Sequence, residues 1–80
     1  MSDYDAYYDK LNERLQDEYN DVITYMTLSN ERNDDNGSIF KDIANEEYTH
    51  AQLIKNILEK ANALKPTDLA EKARDLLLKG

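Results

Sequence analysis

Strong helix breakers are almost absent from this chain. Its 80 residues contain only two glycines and one proline, Gly37, Gly80 and Pro66, so long stretches run without interruption. No stretch shows the strict alternation of apolar and polar residues that is typical of a half-buried strand, and no internal repeat is evident. The sequence therefore predicts an all-α fold.

Apolar residues recur at helical spacing and set the limits of the predicted helices. In the first stretch these residues are Tyr8, Leu11, Leu15, Val22 and Met26. In the second they are Phe40, Ile43, Ala44, Ala51, Ile54, Ile57, Leu58 and Ala61. We predict helix 1 over about residues 3–30, a polar elbow at 31–37, helix 2 over about 38–64 and helix 3 over about 68–79. Ser2 and Ser38 are the expected N-caps, and Pro66 is expected to end helix 2.

The length of the chain favours a partner subunit. A domain of 80 residues buries too little surface to be comfortably stable alone, and the lack of cysteine excludes disulfides. Two long helices joined by a short elbow form an antiparallel hairpin, whose apolar stripes stay uncovered on one side. We therefore predict one helical domain over residues 1–80 that dimerises into a four-helix bundle, as a homodimer or a higher even-numbered ring.

Charge and hydropathy narrow the choice of partners. The net charge of −7 repels phosphate backbones and anionic lipids. No apolar run approaches the roughly 20 residues that cross a membrane, and no signal peptide opens the chain. We expect a cytoplasmic protein without nucleic-acid or membrane partners.

Ionisable side chains occupy positions on the apolar faces of both long helices. With Glu47 at zero and about 100° per residue, the apolar positions of helix 2 lie between roughly −80° and +60°, and His50 lies at about −60°. Glu18 lies on the helix 1 stripe of Leu15 and Val22. A buried carboxylate costs several kcal/mol unless it is paired or binds a metal. A cation from solution accounts for the whole set.

The spacing of these residues matches half of a di-iron site. A carboxylate from one helix and a Glu-x-x-His pair from another form half of the ligand set in ferritin-like bundles, where two such halves face each other. One chain would supply Glu18, Glu47 and His50, and two chains would complete the site. Oxygen and imidazole ligands suit iron, with manganese or zinc as substitutes.

Residues 46–51, Glu-Glu-Tyr-Thr-His-Ala, resemble the Glu-Glu-x-x-His motif of ferritins and rubrerythrins. Glu18 and Tyr25 resemble the ligand and the neighbouring tyrosine of the earlier helix in that family. With two long helices and a short tail helix, residues 11–80 are most similar to the encapsulated ferritins, which are half-length and build their site from two subunits. The resemblance implies a ferroxidase site at a subunit interface, which oxidises Fe(II) to Fe(III) with dioxygen or peroxide.

Two features differ from the encapsulated ferritins. Those proteins have a further acidic ligand two residues after the first, where this chain has Asn20. They also usually carry a C-terminal peptide that docks inside a shell, whereas this sequence stops at Gly80. We therefore do not expect an encapsulin-type shell as a partner.

Several alternatives remain open on the sequence alone. Glu18 could pair with Arg14, about 40° away on helix 1, and Glu47 with His50 could form a buried pair without metal. Tyr25, Glu46 and Asp21 are secondary candidates near the site. A different class of function is a non-catalytic helical module that associates with itself or with another protein through a polar core.

Overall fold

The computed structural model describes residues 3–80, with side chains from Asp5 onward, and all regular structure in this range is helical. The three helices are α1 (Asp3–Glu31), α2 (Asp35–Lys60) and α3 (Leu69–Lys79). The all-α class predicted from the sequence is therefore confirmed. The expected cap Ser2 lies outside the described residues.

Helices α1 and α2 form an antiparallel hairpin, because only residues 32–34 connect them and the two helices pack closely. The 26 residues of α2 span about 39 Å at 1.5 Å per residue. The described chain measures 48 × 17 × 16 Å, so it is a rod about two helices wide. Helix α3 folds back mainly against α1.

The elbow is shorter than the predicted 31–37, because α2 begins three residues before the expected Ser38. Asp34 is the N-cap instead, and its Oδ1 accepts hydrogen bonds from the backbone N–H groups of Asn36 at 3.1 Å and Gly37 at 3.3 Å. Asp and Asn disfavour helix interiors, which is why the sequence predicted a loop, but the same residues stabilise a first turn.

Gly37 is buried in the first turn of α2, beside the end of α1. Ser29 Oγ donates a hydrogen bond to the Gly37 carbonyl oxygen at 2.7 Å. A Cβ atom at this position would overlap the backbone carbonyl oxygen of Arg32. Glycine is therefore needed here for the close approach of two backbones, and it does not break the helix.

Helix α2 ends at Lys60, before the predicted Leu64. Asn62 adopts the left-handed conformation, with φ of 54°. Two backbone hydrogen bonds of a Schellman motif close the helix, from Asn62 N to Glu59 O at 3.0 Å and from Ala63 N to Leu58 O at 2.9 Å. Pro66 follows this end and does not cause it.

The core is a thin apolar layer between the two long helices. Its buried members are Leu15, Tyr19, Val22 and Met26 of α1, Ala44, Ala51 and Leu58 of α2, and Ala73 of α3. Large side chains of α1 thus pack mainly against alanines of α2. None of the helices in residues 3–80 is both long and apolar enough to cross a membrane.

Asn12 joins α1 to the segment that follows α2. Its buried side-chain Nδ2 donates to the carbonyl oxygens of Tyr8 at 3.0 Å and Ala63 at 2.9 Å. Its Oδ1 accepts from the backbone N–H of Lys65 at 3.0 Å. One amide therefore pairs with the carbonyl of Ala63 and the N–H of Lys65 in the segment that follows α2.

We expect Asn12→Ala to lower the free energy of unfolding by about 1–3 kcal/mol, because it leaves the Ala63 carbonyl and the Lys65 N–H without their partner. Urea unfolding followed by circular dichroism measures the change. Asn45→Ala is the control, since Asn45 is exposed and its amide bonds only to the Lys41 carbonyl at 3.0 Å within α2. An equal loss in both variants would contradict the role assigned to Asn12.

Candidate metal centre

The hairpin brings Glu18 and Glu47 to the same height. Glu18 lies 13 residues before Glu31, the last residue of α1, and Glu47 lies 12 residues after Asp35, the first of α2. The difference of one residue corresponds to about 1.5 Å along the helix axis. The early start of α2 thus removes the larger offset that a helix beginning at Ser38 would have produced.

Glu18, Glu47 and His50 form one cluster. Each offers one ligand atom, and these atoms all lie within 4.8 Å of one another. His50 Nδ1 is 3.8 Å from Glu18 Oε2 and 3.9 Å from Glu47 Oε1. These distances are too long for hydrogen bonds, and the three ligand atoms are close enough together for one cation to contact them all. The structure thus brings together the three residues predicted as ligands, while metal binding itself stays a prediction.

The three side chains differ in burial. The side chain of Glu18 is 8% exposed, that of Glu47 is 22% exposed and that of His50 is 56% exposed. The expectation that His50 points into the core of one chain is therefore wrong. Glu18 is thus the buried member of the cluster and His50 is its solvent-exposed member.

This correction has a geometrical cause, because the apolar residues of α2 occupy two faces. Ala44, Ala51 and Leu58 are buried against α1. Ile39, Leu53 and Ile57 remain 55%, 60% and 46% exposed. The sequence pattern merged both faces into one arc centred near Glu47, whereas Glu47 lies at their boundary and His50 lies on the exposed face.

The two oxygens of the buried Glu18 carboxylate have different surroundings. Its Oε1 accepts a hydrogen bond from Arg14 Nη2 at 2.6 Å, so the ion pair weighed as an alternative is present. Its Oε2 is buried and has no hydrogen-bond partner within the described residues. A buried oxygen without a donor is costly, so this side of Glu18 favours a proton donor or a cation.

The arrangement raises the pKa of Glu47 to about 7. The largest cause is a hydrogen bond that protonated Glu47 gives to Glu18, followed by burial and by repulsion from Glu18 and Asp21, while His50 acts in the opposite direction. Two ionised carboxylates can only accept, so Glu18 Oε2 gains a donor when Glu47 carries a proton. A divalent cation in this space would satisfy both carboxylates in place of the proton.

The secondary candidates lie around the cluster. Asp21 is half-buried and close enough to raise the pKa of Glu47. Tyr25 stacks on Phe40 with ring centroids 6.1 Å apart, which assigns it to packing near the elbow. Glu46 is exposed on α2.

Sequence reasoning did not identify an aromatic pair behind the cluster. Tyr19 and Tyr48, the residues next to Glu18 and Glu47, have ring centroids 6.4 Å apart. Burial is the main cause of a raised pKa of Tyr19. Tyr19 and Tyr48 meet because Glu18 and Glu47, their neighbours in sequence, lie at the same height on the two helices. That height depends on the length of the elbow, which the sequence did not predict.

The stability of the metal-free protein should depend on pH through Glu47. Between about pH 4.5 and about pH 7 the folded chain holds a proton at Glu47 that the unfolded chain has released. Folding then binds a proton, so the free energy of unfolding falls as pH rises through this window, by on the order of 1–3 kcal/mol. Urea unfolding in a chelating buffer at several pH values measures this slope.

Glu47→Gln is expected to remove most of that slope, because its amide can donate to Glu18 Oε2 at every pH. Glu46→Gln is the control, since it removes the same charge from the adjacent exposed position and should keep the slope. A slope that survives unchanged in Glu47→Gln would mean that the two glutamates share no proton.

Comparisons with protein-family models, with curated proteins and with solved structures give no match for this chain. The resemblance to encapsulated ferritins therefore rests on the motif and its spacing, and the family stays a prediction.

Proposed function

We propose that two copies of this chain bind a pair of iron ions between them and oxidise Fe(II) to Fe(III). Each copy would contribute Glu18, Glu47 and His50, so that four carboxylates and two imidazoles hold the pair. The observation that carries the proposal is the meeting of these three side chains at a buried carboxylate oxygen of Glu18 that has no donor among the described residues. We keep the cytoplasmic location expected from the sequence as part of the same proposal.

The chemistry of the ligand set supports iron. Carboxylates and a neutral imidazole are the ligands of iron and manganese sites, and they accept zinc as well. Glu18 is paired with Arg14, whereas Glu47 must lose its proton to bind. Glu47 is intermediate in exposure between the buried Glu18 and the solvent-facing His50, and all three side chains are close to one another.

The open face of the hairpin supports a second copy as the partner. Ile39, Ile43, His50, Leu53 and Ile57 follow one another on α2 in steps of three, four or seven residues, which is the spacing of a helix-packing seam. Three of the four apolar members are about half exposed. A face two helices wide and about 39 Å long offers about 800 Å² per partner, which is the size of a standard stable interface.

The residues of the chain have distinct parts in this function. Glu18 supplies a carboxylate oxygen at the buried base of the site. Glu47 carries the proton that a metal must displace, and His50 offers nitrogen at the exposed side. Two Fe(II) ions held by these residues would supply two electrons, enough to reduce dioxygen to hydrogen peroxide or hydrogen peroxide to two waters with uptake of two protons.

A second function is favoured by a different observation. Glu18 is already paired with Arg14, and the apolar stripe of α2 is exposed whether or not metal binds. A non-catalytic module that associates through this face would show both features. In that case the cluster is a polar part of an interface, and removal of Glu47 leaves stability unchanged or increased.

Anaerobic titration of the metal-free protein with Fe(II), followed by air, distinguishes the two functions. We expect saturation near about one iron per chain and a ferric absorbance in the near ultraviolet on oxidation. Glu47→Ala should abolish both signals, while Glu46→Ala should keep them, since Glu46 is exposed beside the cluster. Equal iron uptake by wild type and Glu47→Ala, or no uptake by either, would leave the interaction module as the function.

The second copy is tested by sedimentation equilibrium. The double variant Leu53→Gln, Ile57→Gln should raise the dimer dissociation constant by about tenfold or more, because each side chain loses roughly 1–2 kcal/mol of apolar burial. Leu78→Gln is the control, because Leu78 is the most exposed large apolar side chain, at 78%, and lies on α3. Dimerisation that resists the double variant and fails in the control would assign the interface to another face.

A further inference from the structure

Arg14 holds two carboxylates on the same helix. Its Nη2 donates to Glu18 Oε1 at 2.6 Å and its Nη1 lies 3.3 Å from Asp17 Oδ2. The side chains of Arg14 and Asp17 are 55% and 61% exposed, whereas that of Glu18 is 8% exposed. The guanidinium thus covers the solvent side of Glu18 and contacts only one of its oxygens.

The two oxygens of Glu18 are therefore unequal before any metal arrives. Oε1 has a short charge-assisted hydrogen bond, which is among the stronger kinds in proteins. Oε2 has no donor within the described residues and lies 3.8 Å from His50 Nδ1. The spacing of four residues on one helix holds the arginine and the glutamate in this relation without help from another element.

We infer that Arg14 is a positioning residue that restricts Glu18 to a single metal-binding oxygen, Oε2. The inference rests on the proposed function of the cluster. A carboxylate can bind a cation through one oxygen or through both, and the second oxygen of Glu18 becomes available only if the guanidinium leaves. Arg14 thereby keeps free a coordination position that a chelating Glu18 would occupy, and that position is available to water or to an oxidant.

The same contact has an electrostatic consequence. A positive charge bonded to a ligand oxygen repels a divalent cation at the site, so Arg14 opposes metal binding while it orients the ligand. Removal of the guanidinium should therefore tighten metal binding and reduce the number of metal-bound waters together. A side chain that merely stabilises α1 would change neither quantity.

Mn(II) is the probe, because it suits oxygen and imidazole ligands, is stable in air and relaxes the protons of bound water. Arg14→Met keeps the length of the side chain but removes its charge and donors. We expect Arg14→Met to bind Mn(II) roughly three- to tenfold more tightly and to carry about one fewer bound water per ion, by water-proton relaxation. Lys10→Met is the control, because it removes the same charge one turn earlier on the exposed side of α1.

The outcomes separate the inference from the proposed function. Glu47→Ala is included, and loss of Mn(II) binding in this variant identifies the site. If wild type binds Mn(II) through Glu47 and Arg14→Met retains the same bound water, the inference is overturned and the proposed function stands. If the water count falls in Lys10→Met as well, the effect belongs to overall charge and the inference is overturned. Failure of wild type to bind Mn(II) at Glu47 would overturn both. Helix content by circular dichroism checks that each variant is folded.

Discussion

The buried carboxylate of Glu18 is the constraint on which the rest of the arrangement depends. An ion between two helices is tolerated only when other groups replace the water it has lost. Arg14 does so for Oε1, while Oε2 has no donor within the described residues. A proton on Glu47 or a cation among the three side chains would complete the set. One carboxylate therefore links the ion pair with Arg14 to the proton of Glu47 and, in the proposed function, to a metal, so that a change in any of them alters the others.

The elbow sets the relative height of Glu18 and Glu47, although it lies far from the cluster. Asp34 caps α2 and Gly37 allows its first turn to lie against the end of α1. Together they reduce the connection to three residues and place Glu18 and Glu47 within about one residue of the same height. A side chain at position 37 would separate the helix ends. Because the helices are rigid along their length, that displacement would be transmitted to the level of the cluster.

Features that depend on the periodicity of apolar residues could be predicted from the sequence. Features that depend on contacts between the helices and the elbow could not. The three helices follow from residue spacing alone, as does the placement of Glu18, Glu47 and His50 on helix faces that can meet, whereas the common height of the two glutamates depends on the elbow. The predicted start of α2 was wrong because a polar first turn and a polar loop have the same composition. Its predicted end was wrong because the helix is closed by Asn62 in the left-handed conformation and not by Pro66. The exposure of His50 was missed for a different reason. A helical pattern reports which positions are apolar but not which of two apolar faces packs within the chain.

In the proposed dimer, the exposed face of α2 and the cluster at its centre would have opposite effects on the association of two copies. Burial of Ile39, Leu53 and Ile57 favours association by roughly 1–2 kcal/mol for each residue. Covering Glu47 and His50 at the same time removes water from one carboxylate and one imidazole per chain, at several kcal/mol for each group that is charged. These terms are of the same order, so the balance is decided by what neutralises the carboxylates. Protons can do so below about pH 7, since the pKa of Glu47 is raised to that value. Above it a divalent cation would take that role, and in the proposed function the ion that binds the cluster would also stabilise the pair of chains around it.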